Sequence, residues 1–484
     1  MTQAFPTGGL WMLLVLALLI FTTGLPVWVL LVGTASLFSM GGWILGVFDI
    51  QVLSAMSSRV LGLLEHDLLQ ALPLYVFIGI LLQRLTVADT LFSAIARLFG
   101  WTGAGTSVAA LGVGVLVSPM NGSVASSSAM MARLVAPRLG RMNSASATAL
   151  ISVSSTIGVV VPPSLVLILL GNAMLSAHTE ASNLPGYSLG QQRIINTQDV
   201  FHAALLPASL VLVLWLVVAW WQGRGQPSVR SQPPLTLSQW VVAAAAFAGT
   251  LLLLGSVFMG QMFAVEAAAT GGVTLILASW ITKALTRSQW ASVLADTLNL
   301  SGALLALLVG ATTFSLVFRL WGTDHWISSA VLGSPFSPMS TAALVLLVVA
   351  LCAWVLDAFE MIFVIIPIVG PLLILLLGDA QQTAVLLLFA LQLSFLIPPM
   401  GYAVMMARSR SGLVNSSIWH TVLALLPFIG VQCAIALAVF LNPAIVHELD
   451  APPAEMSIPL SAEAVEQQMR EMSEQTNSTE TPAR

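Results

Sequence analysis

Apolar runs of about 20 residues, the length that crosses roughly 30 Å of hydrocarbon, recur along nearly the whole chain. The first, Leu10 to Ile20, has no basic flank before it and no persuasive small-residue cleavage site, so it predicts a retained helix. Further spans are expected over 201–222, 238–257, 262–282, 297–318 and 420–442. Two others, 146–178 and 383–407, carry proline pairs near their middles, Pro162-Pro163 in "VVVPPSLV" and Pro398-Pro399 in "SFLIPPMG". Proline lacks the amide donor and disrupts the preceding turn, so each segment predicts a helix broken in mid-membrane. The stretch 104–136 is also apolar at both ends, but its centre, "SPMNGSVASSS", is polar and holds Pro119 and Gly122. A hairpin turning at mid-depth is expected there, because non-helical backbone at that depth must be surrounded by protein or a water-filled cavity.

Composition narrows the class. Of 484 residues, 58% are hydrophobic and 7% charged, whereas soluble domains are about a quarter charged. An all-α polytopic membrane protein is implied, with no separate soluble domain. No basic patch supports nucleic-acid binding. Cys352 and Cys433 lie in apolar runs and read as small core residues rather than disulfide or metal partners. His66, between Glu65 and Asp67, has no second histidine at ligand spacing, so no metal site is expected beyond coupling cations. Trp220 and Trp221 read as interfacial anchors. The tail 446–484, rich in Glu, Ser, Thr, Gln and Pro, reads as disordered.

Sixteen Lys and Arg residues are few enough to orient the chain one cluster at a time. Arg84 with Arg97, Arg133 with Arg138 and Arg141, Arg224 with Arg230, Lys283 with Arg287, and Arg408 with Arg410 are all assigned to the cytoplasm. Counting crossings between them leaves Gly322 to Met339 outside, and makes 340–377 a second hairpin, entering and leaving on the outer face.

The two breaks lie 236 residues apart, Pro162 to Pro398. The same offset sets Asn121 on Asp357, and Ala147-Thr148-Ala149-Leu150 on Thr383-Ala384-Val385-Leu386. Hairpin plus broken helix therefore occurs twice, the first opening inward and the second outward. Inverted repeats of this kind build secondary transporters whose site lies at the membrane midplane. Freed carbonyls and nearby hydroxyls can replace a cation's hydration shell, while half-helix N-termini face an anion.

Ser118 to Gly171, together with "VLDAFEMIFVIIPIVGP" and "FLIPPMGYA", resembles the large membrane (M) subunit of tripartite ATP-independent periplasmic (TRAP) transporters. The resemblance covers about residues 22 to 442, and the double-proline motif is its most specific part. It implies an elevator-type carrier in the bacterial inner membrane, driven by a sodium gradient. The implied partners are a small four-helix membrane subunit, expected as a separate chain, a periplasmic substrate-binding protein, and membrane lipid. Sodium ions would be the coupling ions, with no other cofactor. The polar loop 179–200 resembles the subgroup assigned to mannitol, chloroaromatic and other carboxylate substrates. Two departures stand out: Asn121-Gly122-Ser123-Val124-Ala125 has one hydroxyl fewer than the usual Gly-Ser-Ser-Val-Ala, and Ile397 replaces the usual Thr before the prolines. The second departure puts one sodium site in doubt.

On this reading 1–99 and 201–318, with a cytoplasmic linker at 223–237, form the scaffold. Residues 100–178 and 340–408 form the transport unit, 179–200 a periplasmic loop, and 420–442 a last helix. The candidate cation and substrate ligands are Asn121, Gly122 and Ser123 at the first tip, and Ser154, Ser155, Thr156, Gly158 and Pro162 at the first break. Asp357 and Glu360 in the second hairpin, and Gln392, Ser394 and Pro398 at the second break, complete the set. Intramembrane carboxylates are costly enough to mark function, and Asp357 and Glu360 share a helix face by their spacing. The rival reading is structural: serines satisfying broken backbone, and a carboxylate pairing with Arg319. Glu266 reads as solvated surface.

Rival functions lack their signatures. An intramembrane enzyme needs His, Cys or paired acids at depth, and only Asp357 with Glu360 comes near. The permease half of an ATP-driven importer needs a cytoplasmic coupling helix, and the loops are short. A stand-alone sodium-coupled anion symporter of similar fold remains open.

Overall fold

The computed structural model describes residues 7–49, 51, 54–64, 67–121, 124–138, 142–161, 164–184, 195–224, 234–353, 356, 358–397, 401–412 and 417–449. Of the tail 446–484 expected to be disordered, the part from Asp450 onward lies outside them, as does His66, but Val446 and His447 end a short helix, Ala444–His447, with Val446 buried. Every regular element among these residues is helical. Seven helices are long and apolar enough to cross a membrane, or nine if two bent pairs are each one span.

Burial separates the helices into two kinds. Leu237–Phe258 is only 11% buried, and Val241, Val242, Leu251 and Leu252 point outward, as suits a lipid-facing helix. Ser144–Val160 is buried without interruption from Ala147 to Val160, and Ala380–Leu396 is almost as enclosed. A helix apolar on every side belongs in an interior. The two broken helices are therefore the core, and the other elements wrap them.

The first hairpin comprises Gly105–Val117, a tight 3-10 turn Ser118–Asn121, and Val124–Val135. Both arms and the turn pack on Ser144–Val160. The second comprises Pro338–Ala353 and the run Ala358–Leu377, which contains a π-helical stretch Met361–Ile365. It packs on Ala380–Leu396 and on Leu165–Ala181. Tyr402–Ser411, beyond the second break, returns against Val124–Val135, so each half of the molecule closes on the other.

The repeat is visible in backbone geometry. Ser144–Val160 and Ala380–Leu396 each have 17 residues, and both starts and both ends obey the offset of 236. Asn143 and Asp379 cap them, accepting from Ala145 N and Gln382 N. Both helices stop in the same conformation, at Val161 (φ −83, ψ 114) and Ile397 (φ −80, ψ 110). A residue preceding proline is pushed out of the helical region into this extended one.

Several elements differ from the sequence-based expectation. The span expected at 297–318 begins ten residues earlier, as Arg287–Leu320, because Thr286 and Gln289 form a capping box ahead of the apolar window. Thr197–Gly223, grouped above with the scaffold, packs on both broken helices, as does Ile418–Leu441. The side chain of Trp215 is wholly buried between those two helices and donates to the Phe428 carbonyl at 3.0 Å. Cys433 is exposed rather than in the core, while Cys352 is half-buried, and both are free thiols. Arg319 pairs with Glu180, at the end of Leu165–Ala181. Glu266 is exposed, in line with its reading as solvated surface, and accepts from Phe263 N at 2.9 Å, capping its own helix.

Trp215→Phe keeps the ring packing and removes the donor. It should cost about 1 kcal/mol, read as a lower thermal unfolding midpoint of the purified chain in detergent.

Candidate functional site

The tip of the first hairpin meets the first broken helix through small residues. A Cβ on Gly114 would lie 2.5 Å from the Ser154 carbonyl oxygen, and one on Gly158 would lie 2.4 Å from the Ser118 carbonyl group. Only glycine at both positions lets the two backbones approach this closely.

That approach brings hydroxyls together. Ser118 Oγ donates to Ser154 O at 3.2 Å, and Ser128 Oγ donates to Ser155 Oγ at 2.9 Å. Ser154, Ser155 and Thr156 each donate to the carbonyl three residues earlier, at 3.1, 2.8 and 3.0 Å. Their protons are thereby committed, and their oxygens present lone pairs. Ser155 also accepts from Ser128, so its hydroxyl is the most structural of the three. Ser118, Ser127, Ser155, Gly158 and Val159 enclose a space of about 10 Å³, room for a single water or a small bare cation.

The break supplies acceptors. Pro162 has no amide proton to give the Gly158 carbonyl, and Pro398 none for that of Ser394. Gly158 and Ser394 correspond under the 236-residue offset. Ser164 steadies the first break: its hydroxyl accepts from Leu167 N at 3.1 Å and donates to Val159 O at 3.4 Å. The positive end of Leu165–Ala181 thus starts at mid-protein beside the freed carbonyls.

The two repeats touch at equivalent positions. Gln392 Nε2 donates to Thr156 O at 3.4 Å, and these residues are also 236 apart. Contact between symmetry-equivalent residues places both beside the pseudo-twofold axis. Gln392 is fully buried, and its Oε1 has no partner among the described residues. Ser394, two residues on, is also buried and donates to Leu391 O at 2.7 Å.

Of the sequence candidates, Ser154, Ser155, Thr156, Gly158, Gln392 and Ser394 thus gather around one axis. Glu360 does not join them. It lines a separate apolar cavity of about 390 Å³ with Leu13, Val348, Cys352 and Val364, just before the π-helical stretch. Gly122, Ser123, Pro162, Asp357 and Pro398 lie outside the described residues, and Asn121 is described only as the last residue of the tip turn. Sequence reasoning missed Ser118, Ser127, Ser128 and Ser164. The signal for the middle pair was present, since Ser127 and Ser128 follow the tip within about one helical turn.

Residues 12–445 match the family described as Tripartite ATP-independent periplasmic transporter, DctM component. The chain belongs to that family. Among DctM-family relatives, the sialic acid TRAP transporter permease protein SiaT of Haemophilus influenzae is 21% identical over 87% of this chain and 65% of its own length. The isethionate TRAP transporter permease protein DctMQ of Oleidesulfovibrio alaskensis is 20% identical over 78% of this chain. The chain spans 57% of that relative's length. The C4-dicarboxylate TRAP transporter large permease protein DctM of Rhodobacter capsulatus is 20% identical over 79% of this chain and 86% of its own. The solved structure of the Alcanivorax borkumensis YdaH transporter shares the fold, with a TM-score of 0.54 at 14% identity over 82% of this chain and 89% of that one. The chain is thus a multi-pass membrane protein of the DctM family.

Gly158→Ala should force the hairpin tip off the broken helix, since backbone rather than a flexible side chain blocks its Cβ. Overpacking of this kind costs about 1–3 kcal/mol, to be read as a lower unfolding midpoint, with Ser154→Ala as the milder control.

Proposed function

We propose that this chain is the large permease subunit of a binding-protein-dependent secondary transporter in a bacterial inner membrane, taking up a small organic acid down a sodium gradient. The observation that carries the reading is the pair of matched mid-membrane breaks, joined at the Gln392 to Thr156 contact beside a hydroxyl-lined tip. Family membership supplies the transport context. The solutes in the relatives' names, sialic acid, isethionate and C4-dicarboxylate, are all organic anions, which supports the substrate class. Those relatives are named as permeases, so no enzymatic role is proposed.

Sodium would be held by Thr156, Ser154 and the freed Gly158 carbonyl at the first break, with Asp357, Gln392 and Ser394 serving the second. Ile397 offers no hydroxyl there, so carbonyls would carry that site. Transport would slide both hairpins and both broken helices against the remaining helices. The packing of Thr197–Gly223 and Ile418–Leu441 on the broken helices extends the proposed moving unit to them. Polar contacts cross the boundary: Arg138 with Asp89 at 2.9 Å, Arg133 with the Gln83 carbonyl at 2.6 Å, and Arg319 with Glu180. Such contacts can be exchanged for water as the unit moves, at little net cost for exposed pairs. A small four-helix subunit and a soluble periplasmic binding protein are the proposed partners.

The test is uptake of labelled solute by proteoliposomes holding this chain and its small subunit, with loaded binding protein added outside. Uptake should require both an inward sodium gradient and the binding protein, and Asp357→Asn should abolish it. Thr156→Val keeps the shape and removes the hydroxyl. It should raise the sodium concentration for half-maximal uptake about tenfold, equivalent to 1.4 kcal/mol of lost binding. Uptake indifferent to sodium would reject the coupling, and uptake without the binding protein would indicate a stand-alone symporter.

A further inference from the structure

A second polar space lies away from the axis, at the boundary between the first hairpin and the surrounding helices. It has a volume of about 440 Å³, within the range of sites for small molecules. Gln83 and Arg84, at the end of Asp67–Arg84, line one wall. Asp296, Asn299 and Ala303 of Arg287–Leu320 line another, and Ser126 of the hairpin closes the third. Asp296 to Ala303 is seven residues of helix, so this wall extends about 10 Å along the helix axis. Arg84, assigned to the cytoplasmic side, and Asp296 are about half exposed, so the cavity opens to water at this end.

Three consecutive serines divide the labour here. Ser128 bonds to the first broken helix, Ser127 lines the small space at the break, and Ser126 turns to the outer cavity. Gln83 Nε2 reaches Ser126 Oγ at 3.4 Å, so the cavity is walled jointly by the hairpin and by a helix outside it.

The charges around it are unequal. Arg84 bonds Asp296 at 2.9 Å and Ser292 at 3.1 Å, both through Nη2. Arg133 adds a second guanidinium at the Gln83 carbonyl. Two cations stand against one carboxylate among the described residues that contact this wall. A guanidinium presents five donors in a planar fork matched to carboxylate and sulfonate oxygens.

We propose that this cavity is an anion vestibule, in which Arg84, with Asn299 and Ser126, receives the acidic group of a small organic anion as it passes between hairpin and scaffold. The proposal rests on the permease reading for its purpose, but its test needs no transport. In the full chain in membrane vesicles, with Cys352→Ala and Cys433→Ala, Asn299→Cys provides a reporter thiol. Its rates with anionic sulfonatoethyl methanethiosulfonate and the cationic trimethylammonium analogue are each divided by that reagent's rate with free mercaptoethanol. The anionic reagent should be favoured about tenfold, the scale expected for one net charge within a few ångströms in water. Arg84→Gln should abolish the preference, Arg84→Lys should retain it, and Asp296→Asn should increase it. Thr297→Cys, two residues away, buried and outside the cavity lining, should react far more slowly. Equal normalised rates at Asn299→Cys, an unchanged ratio in Arg84→Gln, or equal labelling at Thr297→Cys would overturn the vestibule. Charge-selective labelling without uptake would uphold it while rejecting the permease reading.

Discussion

Backbone polar groups cannot be left bare in hydrocarbon, and the interior of this protein is organised around places where the chain breaks that rule's simplest solution. Each proline pair deletes amide donors at the middle of a helix. The consequence is that the breaks must be enclosed by protein, so the two broken helices become the most deeply buried elements. Ser164 bridges the first gap from both sides. The hydroxyls of Ser154, Ser155 and Thr156 fold back onto their own carbonyls, and the hairpin tip seals the space through Gly114 and Gly158. Among the described residues, what remains beside them is a space the size of one ion, lined by Ser118, Ser127, Ser155 and Gly158.

Enclosure also explains the surrounding architecture. The lipid-facing helices, such as Leu237–Phe258, carry large apolar side chains outward, while contacts between the inner unit and its surroundings include ion pairs and side-chain to backbone bonds. A boundary of that composition suits sliding better than interlocked aliphatic packing, because dense interdigitation resists small shifts. Under the proposed function, the wrapped core and the polar seam would serve one end: a rigid site that changes its exposure without changing its internal geometry.

Much of this could be read from the chain before any coordinates. The proline pairs, the polar centre of 104–136 and the 236-residue offset located both breaks and the first hairpin, because each is a local violation of an otherwise apolar pattern. The helix pair Ser144–Val160 and Ala380–Leu396 keeps that offset to the residue. Pairings made through space were not readable: Ser128 with Ser155, Arg319 with Glu180, and Trp215 with Phe428 join positions with no shared periodicity. What Glu360 meets was not readable either, since helical spacing gives the face of a residue but not its surroundings. The early start of Arg287–Leu320 was missed although its signal was present, as hydropathy windows ignore polar caps such as Thr286 with Gln289.

The contact between Gln392 and Thr156 bears on how such a molecule diverges from its origin. In a dimer of two identical halves, any residue on the axis meets its own copy, and a side-chain amide would have to share the space with another amide. Joining the halves into one chain releases that restriction. Here one half contributes a long amide and the other a backbone carbonyl, so the central hydrogen bond has a direction that no symmetric ancestor could possess. Two like breaks held in one chain thus meet at an axis that is chemically unequal, with an amide on one side and a carbonyl on the other.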